Sequence, residues 1–258
     1  MSASPRTEAA AGTRPAALAP DAASSERAAH VRGMFDRIAP TYDRANHLLS
    51  LSIDRYWRWR TVRLLRARLP PGPAAVLDIA CGTGDLSLAL LRGLTGWPEG
   101  VAVTGADFSH AMLLGARAKS AHKPIEWLQA DALRLPSRDA SFCAVSSAFG
   151  FRNLTDYRAG LVEFHRVLRP SGVCAILEIT RPALPLLRQL YPLYFEHILP
   201  RLGGWISGDR AAYSYLPDSV SRFPDPRTLV AWMREAGFRQ ASFHRFTGGI
   251  ATLHLAIK

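Results

Sequence analysis

Between residues 75 and 86 the chain reads Ala-Val-Leu-Asp-Ile-Ala-Cys-Gly-Thr-Gly-Asp-Leu, an apolar run that ends in an acid and turns through Gly82 and Gly84. The apolar periodicity that follows (Leu86, Leu88, Ala89, Leu90, Leu91) predicts a helix, so the pattern is strand, tight turn and helix N-terminus. Glycines at such a turn let the backbone approach a ligand with no side chain in the way. Asp78, at the strand end, repels a bare phosphate and suits a cationic or hydroxyl-bearing ligand. S-adenosylmethionine is both, with a sulfonium and ammonium end and a ribose. A dinucleotide remains open on the loop alone, because Gly-x-Gly-x-x-Gly also opens those folds and only its third glycine is replaced, by Ser87.

Two further acids narrow the chemistry. The run Val101-Ala-Val-Thr-Gly-Ala ends at Asp107, where a carboxylate accepts hydrogen bonds from ribose hydroxyls. The next ends at Gln129-Ala130-Asp131-Ala132, where an Asp followed by a small residue suits an adenine amino group and a ring nitrogen. Each acid alone is more often a helix cap. Three at successive strand ends beside a glycine loop point to a nucleoside cofactor.

Alternating strands and helices must position these residues. Strands are predicted at 75–79, 101–106, 125–129, 141–147 and 173–179, with helices over 84–94, 109–119 and 156–168 between them. That alternation predicts an α/β fold, a mostly parallel Rossmann-like sheet with helices on both faces and its ligand at the strands' carboxyl ends. A helix near 226–236 and closing strands near 241–246 and 250–257 complete it. Residues 1–30, rich in Ala, Ser, Pro and Arg without periodicity, are expected to be a disordered tail; 31–258 form the domain. Within it, amphipathic segments over 31–72 form an N-terminal helical lid. A Pro-rich, aromatic helical insertion spans 181–216.

Hydrophobic residues at 48% and charged ones at 21% are the balance of a folded soluble protein. Cys81, Cys143 and Cys174 show neither metal-ligand spacing nor pairing, so no metal is expected and reduced cytoplasmic thiols are the default. The formal charge of +11 comes mostly from arginine. Arg55, Arg58, Arg60, Arg63, Arg66 and Arg68 crowd one segment with Tyr56, Trp57 and Trp59, which fits either peripheral contact with an anionic bilayer or a solvated arginine face. Nucleic acid is the less favoured partner: no Asn/Asp-Pro-Pro-aromatic motif follows the fourth strand, and no cysteine stands beside a proline. No segment has the length and apolarity of a membrane span, and the first residues lack a secretory signal's apolar core.

Longer motifs carry a resemblance. These are Met34-Phe-Asp-Arg-Ile-Ala-Pro-Thr-Tyr-Asp43, Asn46-His-Leu-Leu-Ser50, Trp57-Arg58, Leu77-Asp-Ile-Ala-Cys-Gly-Thr-Gly-Asp85, Phe149-Gly-Phe-Arg-Asn-Leu-Thr-Asp156, Ser214-Tyr-Leu-Pro-Asp-Ser-Val220 and Phe246-Thr-Gly-Gly-Ile250. From Val31 to Lys258 the chain resembles the ubiquinone/menaquinone biosynthesis C-methyltransferases, class I enzymes that methylate a ring carbon of a prenylated quinol from S-adenosylmethionine. The resemblance implies cofactor contacts at Thr83, Asp107, Asp131 and Ala132, beside Asp78 and Gly82 of the loop. Ala148 stands where some members have a serine that contacts the cofactor. The Ser-Gly-Asp-Arg and Tyr-Leu-Pro stretches are more similar to the menaquinone branch, which implies demethylmenaquinol as substrate.

On this reading Arg152 stabilises a developing phenolate or orients a water, Asn153 holds a ring oxygen, and Tyr42 bonds cofactor or quinol. The alternatives are an Arg152–Asp156 pair, Asn153 as a cap of the next helix, and Tyr42 packed on the sheet. Leu190, Tyr191, Leu193, Tyr194, Phe195 and Ile198 would line a prenyl channel, form a homodimer face or cap the core.

Overall fold

The apolar runs read from the sequence are the strands of one sheet. In the computed structural model, which describes residues 22–194, 201 and 209–258, these are β1 (Ala74–Ile79), β2 (Val101–Asp107), β3 (Ile125–Gln129), β4 (Phe142–Ala148), β5 (Leu168–Ile179), β6 (Arg239–Phe246) and β7 (Ala251–Ile257). They lie in the order β3-β2-β1-β4-β5-β7-β6. The first five pair in parallel and β7 runs antiparallel between β5 and β6. The order reverses beside β1, which opens a crevice at the carboxyl ends of β1 and β4.

Period-two alternation explains the layers. On β5, Val173, Ala175 and Leu177 join a core with α3 (Ile53–Arg66) and α4 (Asp85–Leu94). Cys174 and Ile176 face the opposite core, with α6 (Tyr157–Val167) and α9 (Pro226–Glu235). α5 (His110–Lys119) connects β2 to β3. Helix starts follow their caps: Ser109 accepts from the Met112 N–H, Asp156 from Arg158 and Ala159, and Asp225 from Arg227 and Thr228.

Two boundaries differ from expectation. α1 spans Ala22–Ile38, so residues 22–30 are helical rather than part of a disordered tail. Their alanines and serines left no periodic signal, and the helix is held through tertiary contact: Ser109 Oγ donates to Asp36 at 2.5 Å, and the Arg32 guanidinium lies 5.5 Å from the Phe108 ring centre. α2 (Tyr42–Leu49) follows a 3-10 turn at Ala39–Thr41. In the insertion, α7 (Pro185–Pro192) is followed after residue 209 by α8 (Arg210–Arg222), which runs through Pro217 past the expected end at 216. Among the described residues no helix is long and apolar enough to cross a membrane.

Candidate active site

The glycine loop closes β1 onto α4. Gly84 caps that helix at φ +82°, and a Cβ there would strike the Trp127 indole. Its lack of a side chain therefore serves packing. Gly82, at φ +55°, faces a cavity at the strands' carboxyl ends.

That cavity brings together every cofactor residue expected from the sequence: Asp78, Gly82, Thr83, Asp107, Asp131 and Ala132. Phe108, Met112 and Leu133 add apolar wall, Ala148 lines it without a hydroxyl, and Ala28, Val31, Arg32 and Phe35 of α1 close it from above. The supposed tail thus contributes Ala28 to the site.

The carboxylates are held by the scaffold. Asp78 is fully buried and accepts from Ser87 Oγ at 2.6 Å and Ser146 Oγ at 2.9 Å. Burial, opposed by those two bonds, pushes its carboxyl up to about 6. Asp107 accepts from the backbone N–H groups of Gly82 at 2.8 Å and Ser109 at 2.9 Å. Burial raises it to about 6 as well, against those backbone bonds. Asp131 is exposed and accepts from the Leu133 N–H at 2.9 Å. Thr83 donates its hydroxyl to Asp43 and accepts from Lys119 Nζ at 3.1 Å. Burial, reinforced by Asp107 and Asp78, pushes the Cys81 thiol well up, so it stays protonated.

A second, more apolar cavity adjoins the first. Tyr42, Arg58 and Phe149 line both, so the two cavities meet at these side chains. Phe149 sits at φ +60°, rare for a bulky side chain, and carries the Arg58 guanidinium 5.4 Å from its ring centre. Leu49, Leu51, Ile53, Leu187, Leu216 and Ile250 make the second cavity's apolar lining, with Tyr191 and Tyr194 of the predicted channel residues. Leu193 is exposed, and Phe195 and Ile198 lie outside the described residues.

Arg152 lines this second cavity, but its partner is not Asp156, which caps α6. Arg152 Nη1 donates to Glu178 at 2.9 Å and to the Phe149 carbonyl, Nε to Ser219 at 3.3 Å, and the backbone N–H to Glu178 at 3.0 Å. Burial opposes its charge, but the Glu178 carboxylate outweighs it, so the guanidinium stays protonated. Asn153 lines the first cavity and accepts from the Tyr215 hydroxyl at 3.2 Å; it caps no helix. Burial pushes the Tyr42 phenol up against Arg152 and Arg58, leaving it a donor at neutral pH.

Sequence reasoning grouped Arg58 and Trp57 with an arginine-rich face, but both are buried, because α3 turns this side toward the sheet. It gave no role to Phe149 or Glu178. One signal was present: Glu178 interrupts an otherwise apolar strand, where an unpaired acid would be costly. The N-terminal helices are latched to the loop by a charge network. Lys119 donates to Asp43 at 2.7 Å and Asp85 at 2.6 Å, and Arg58 pairs with Asp54 and, at 3.4 Å, with Asp85. His47 Nδ1 lies 2.9 Å from Asp54, so ligand atoms of His47, Asp54 and Asp85 converge within 4.8 Å. Both carboxylates already have Arg58 or Lys119 as cationic partners, which makes this a latch rather than an open ligand set.

The model of the ubiE/COQ5 methyltransferase family matches residues 22–258. The chain belongs to that family. Demethylmenaquinone methyltransferase of Deinococcus radiodurans is 46% identical over 231 residues, covering 88% of this chain and 92% of the relative. The Thermus thermophilus enzyme of the same name is 45% identical, covering 86% and 98%. The ubiquinone/menaquinone biosynthesis C-methyltransferase UbiE of Citrifermentans bemidjiense is 41% identical, covering 92% and 99%. Among solved structures, a SAM-dependent methyltransferase from Thermotoga maritima superposes with a TM-score of 0.61 at 19% identity, covering 88% of this chain and 99% of that one. At that identity it establishes the class I Rossmann-like fold alone.

A methyltransferase of this family takes its methyl group from S-adenosylmethionine. The first cavity fits that cofactor by its donor set. Carboxylates stand at three successive strand ends, and a side-chain-free Gly82 backbone faces the cavity. Its two cations, Arg32 and Arg58, come from the N-terminal helices, Arg58 already paired with Asp54. The acids at the strand ends suit a cation with ribose hydroxyls.

Proposed function

We propose that this methyltransferase converts a demethylmenaquinol to a menaquinol, with S-adenosylmethionine in the first cavity and the prenylated quinol in the second. The junction of the two cavities at Tyr42, Arg58 and Phe149 carries this reading, because a methyl donor and a ring carbon must meet in line across a short gap. The cofactor supplies an electrophilic methyl group on its sulfonium. Asp107 accepts from the ribose hydroxyls, Asp78 faces the cationic end, and Asp131 with the Ala132 N–H meets the adenine edge. Gly82 and Thr83 form the loop that the cofactor crosses. Helices over 31–72 act as the lid, closed by the Lys119–Asp43 latch.

At the quinol, Arg152 stabilises the ring oxygen as it gains negative charge, and cannot itself take a proton. Tyr42, which lines both cavities, orients the ring, and Asn153 meets a ring oxygen from the cofactor side of the junction. The ring proton leaves to a water held near these donors. The apolar lining of Leu49, Leu187 and Ile250 suits a prenyl tail, and an insoluble tail puts the reaction at a membrane surface.

Labelled S-adenosylmethionine supplied with reduced demethylmenaquinone is expected to give labelled menaquinol. The benzoquinol precursor of ubiquinone is the comparison, because a relative at 41% identity is named for both pathways. Turnover of the benzoquinol alone refutes the assignment, and turnover of both makes the enzyme dual-purpose.

Cofactor affinity carries a pH signature. Asp78 and Asp107 both titrate near 6, and each is needed as a carboxylate. The dissociation constant for S-adenosylmethionine, measured calorimetrically from pH 8 to 5, is expected to be flat above 7. Below 6 it rises toward about tenfold per unit for each group. Affinity that stays constant to pH 5 excludes ionised contacts from both.

A further inference from the structure

Resting on the quinol reading, we infer that the α2–α3 corner is a docking face for an anionic lipid bilayer, set so that the mouth of the second cavity opens onto the membrane. Four observations converge on this corner.

Apolar side chains stand unusually exposed there. Leu48, Leu51, Ile53, Tyr56 and Trp59 are all exposed, Leu51 at 79%. Leu51 and Ser52 form the turn between the helices at φ +50° and +60°. A leucine held outward in the left-handed region combines backbone strain with solvent exposure, and neither favours the isolated chain.

This tip is also continuous with the substrate cavity. Leu51 and Ile53 line the cavity together with Leu187 and Tyr194 of the insertion, so apolar side chains join the exposed tip to the cavity.

Charge follows behind the tip. Arg44, Arg55, Arg63 and Arg66 are exposed, and the only acids between residues 44 and 84, Asp54 and Asp78, are buried. Tyr56 and Trp59 lie 5.9 Å apart, and the Arg63 guanidinium lies 4.9 Å from the Trp59 ring centre. Interfacial aromatics with arginines reaching past them suit the headgroup layer of an anionic leaflet.

The same charge argues against a second copy of this chain. A two-fold contact sets each residue of the patch near its own equivalents, and here that crowds arginine against arginine with no exposed acid in the segment to relieve it.

Co-sedimentation of the full chain with phosphatidylcholine vesicles, with and without phosphatidylglycerol, tests the face. Arg55→Glu with Arg63→Glu is expected to lower partition onto the anionic vesicles at least tenfold. Tyr56→Ser with Trp59→Ser is expected to lower it at least fivefold. Lys123→Glu with Arg138→Glu, the same charge change in exposed loops at the amino ends of β3 and β4, is expected to partition as wild type. All three variants should methylate a tail-less demethylmenaquinol like wild type. Only the first two should slow, at least fivefold, on the long-tailed quinol embedded in vesicles.

Wild-type partition in either face variant overturns the proposal. So does a wild-type dimer that the face variants dissociate, or binding to neutral vesicles as tight as to anionic ones. Wild-type protein that binds anionic vesicles through this face yet methylates neither quinol overturns the substrate reading and upholds the docking face.

Discussion

Glu178→Ala is expected to lower the unfolding free energy by about 3–5 kcal/mol and to cut quinol turnover at least a hundredfold. Glu178 is wholly buried and accepts both the Arg152 guanidinium at 2.9 Å and the Arg152 backbone N–H at 3.0 Å. Removing it leaves an uncompensated cation inside the protein and frees the turn that holds Phe149 at positive φ. Stability loss alone does not prove a part in chemistry, so the informative variant is the double one. Arg152→Met with Glu178→Leu removes both charges and replaces them with apolar volume, which is often neutral or stabilising. Urea titration should show most of the stability restored, with S-adenosylmethionine still bound and turnover still lost. A double variant that methylates at the wild-type rate would remove Arg152 from the mechanism.

That pair also marks where the sequence stopped being legible. Arg152 stood out by its motif, but its nearest acid along the chain, Asp156, was the natural candidate partner. Asp156 is committed to the Arg158 and Ala159 N–H groups of its own helix, and the charge is met instead by an acid 26 residues away. Local chemistry is readable in sequence because caps and strand ends satisfy the backbone within a few residues. Partnership across the sheet depends on register, which no single segment specifies. Arg58 illustrates the same limit: its spacing to Asp54 is a helical i,i+4 pair, yet its position between two cavities arises only when α3 lies along the sheet.

The fold was more legible. A strand buried on both faces is a near-continuous apolar run, so β1, β4 and β5 were visible as such. The edge strand β3 reads Ile-Glu-Trp-Leu-Gln and was marked instead by its place between two helices. The acids at or just after the ends of β1, β2 and β3 fell where the crevice opens. The first turns of α1, before residue 31, were hidden for the converse reason. Residues 22–30 carry few apolar groups, and what Ala28 contributes is closure of the cofactor cavity rather than core. A helix whose apolar face covers a binding site shows less periodicity than one facing a core.

Asp78→Asn is expected to stabilise the cofactor-free protein while lowering affinity for S-adenosylmethionine roughly 10- to 100-fold. Folding raises the Asp78 carboxyl from 3.8 to about 6, so the neutral form is the one the fold prefers. That preference is fully expressed below 3.8 and is lost as pH rises through about 6, above which the folded chain carries a buried charge. The asparagine is isosteric, and one of Ser87 and Ser146 can turn its hydroxyl to accept from the new amide. The variant should therefore gain roughly 1–3 kcal/mol at pH 8, an upper bound set by the size of the shift. The advantage should shrink below pH 6 and vanish near pH 4. Thermal melts at pH 8 without cofactor would place the variant a few degrees above wild type. Saturating S-adenosylmethionine should reverse the order, because only the wild type gains the full binding free energy. A variant less stable than wild type at pH 8 would mean that the two serine bonds outweigh the desolvation of the carboxylate. A variant that keeps full affinity would move the cofactor's cationic end away from β1. The inversion is the more telling result, since it would show that the charge at Asp78 is kept for the ligand at the expense of the empty fold.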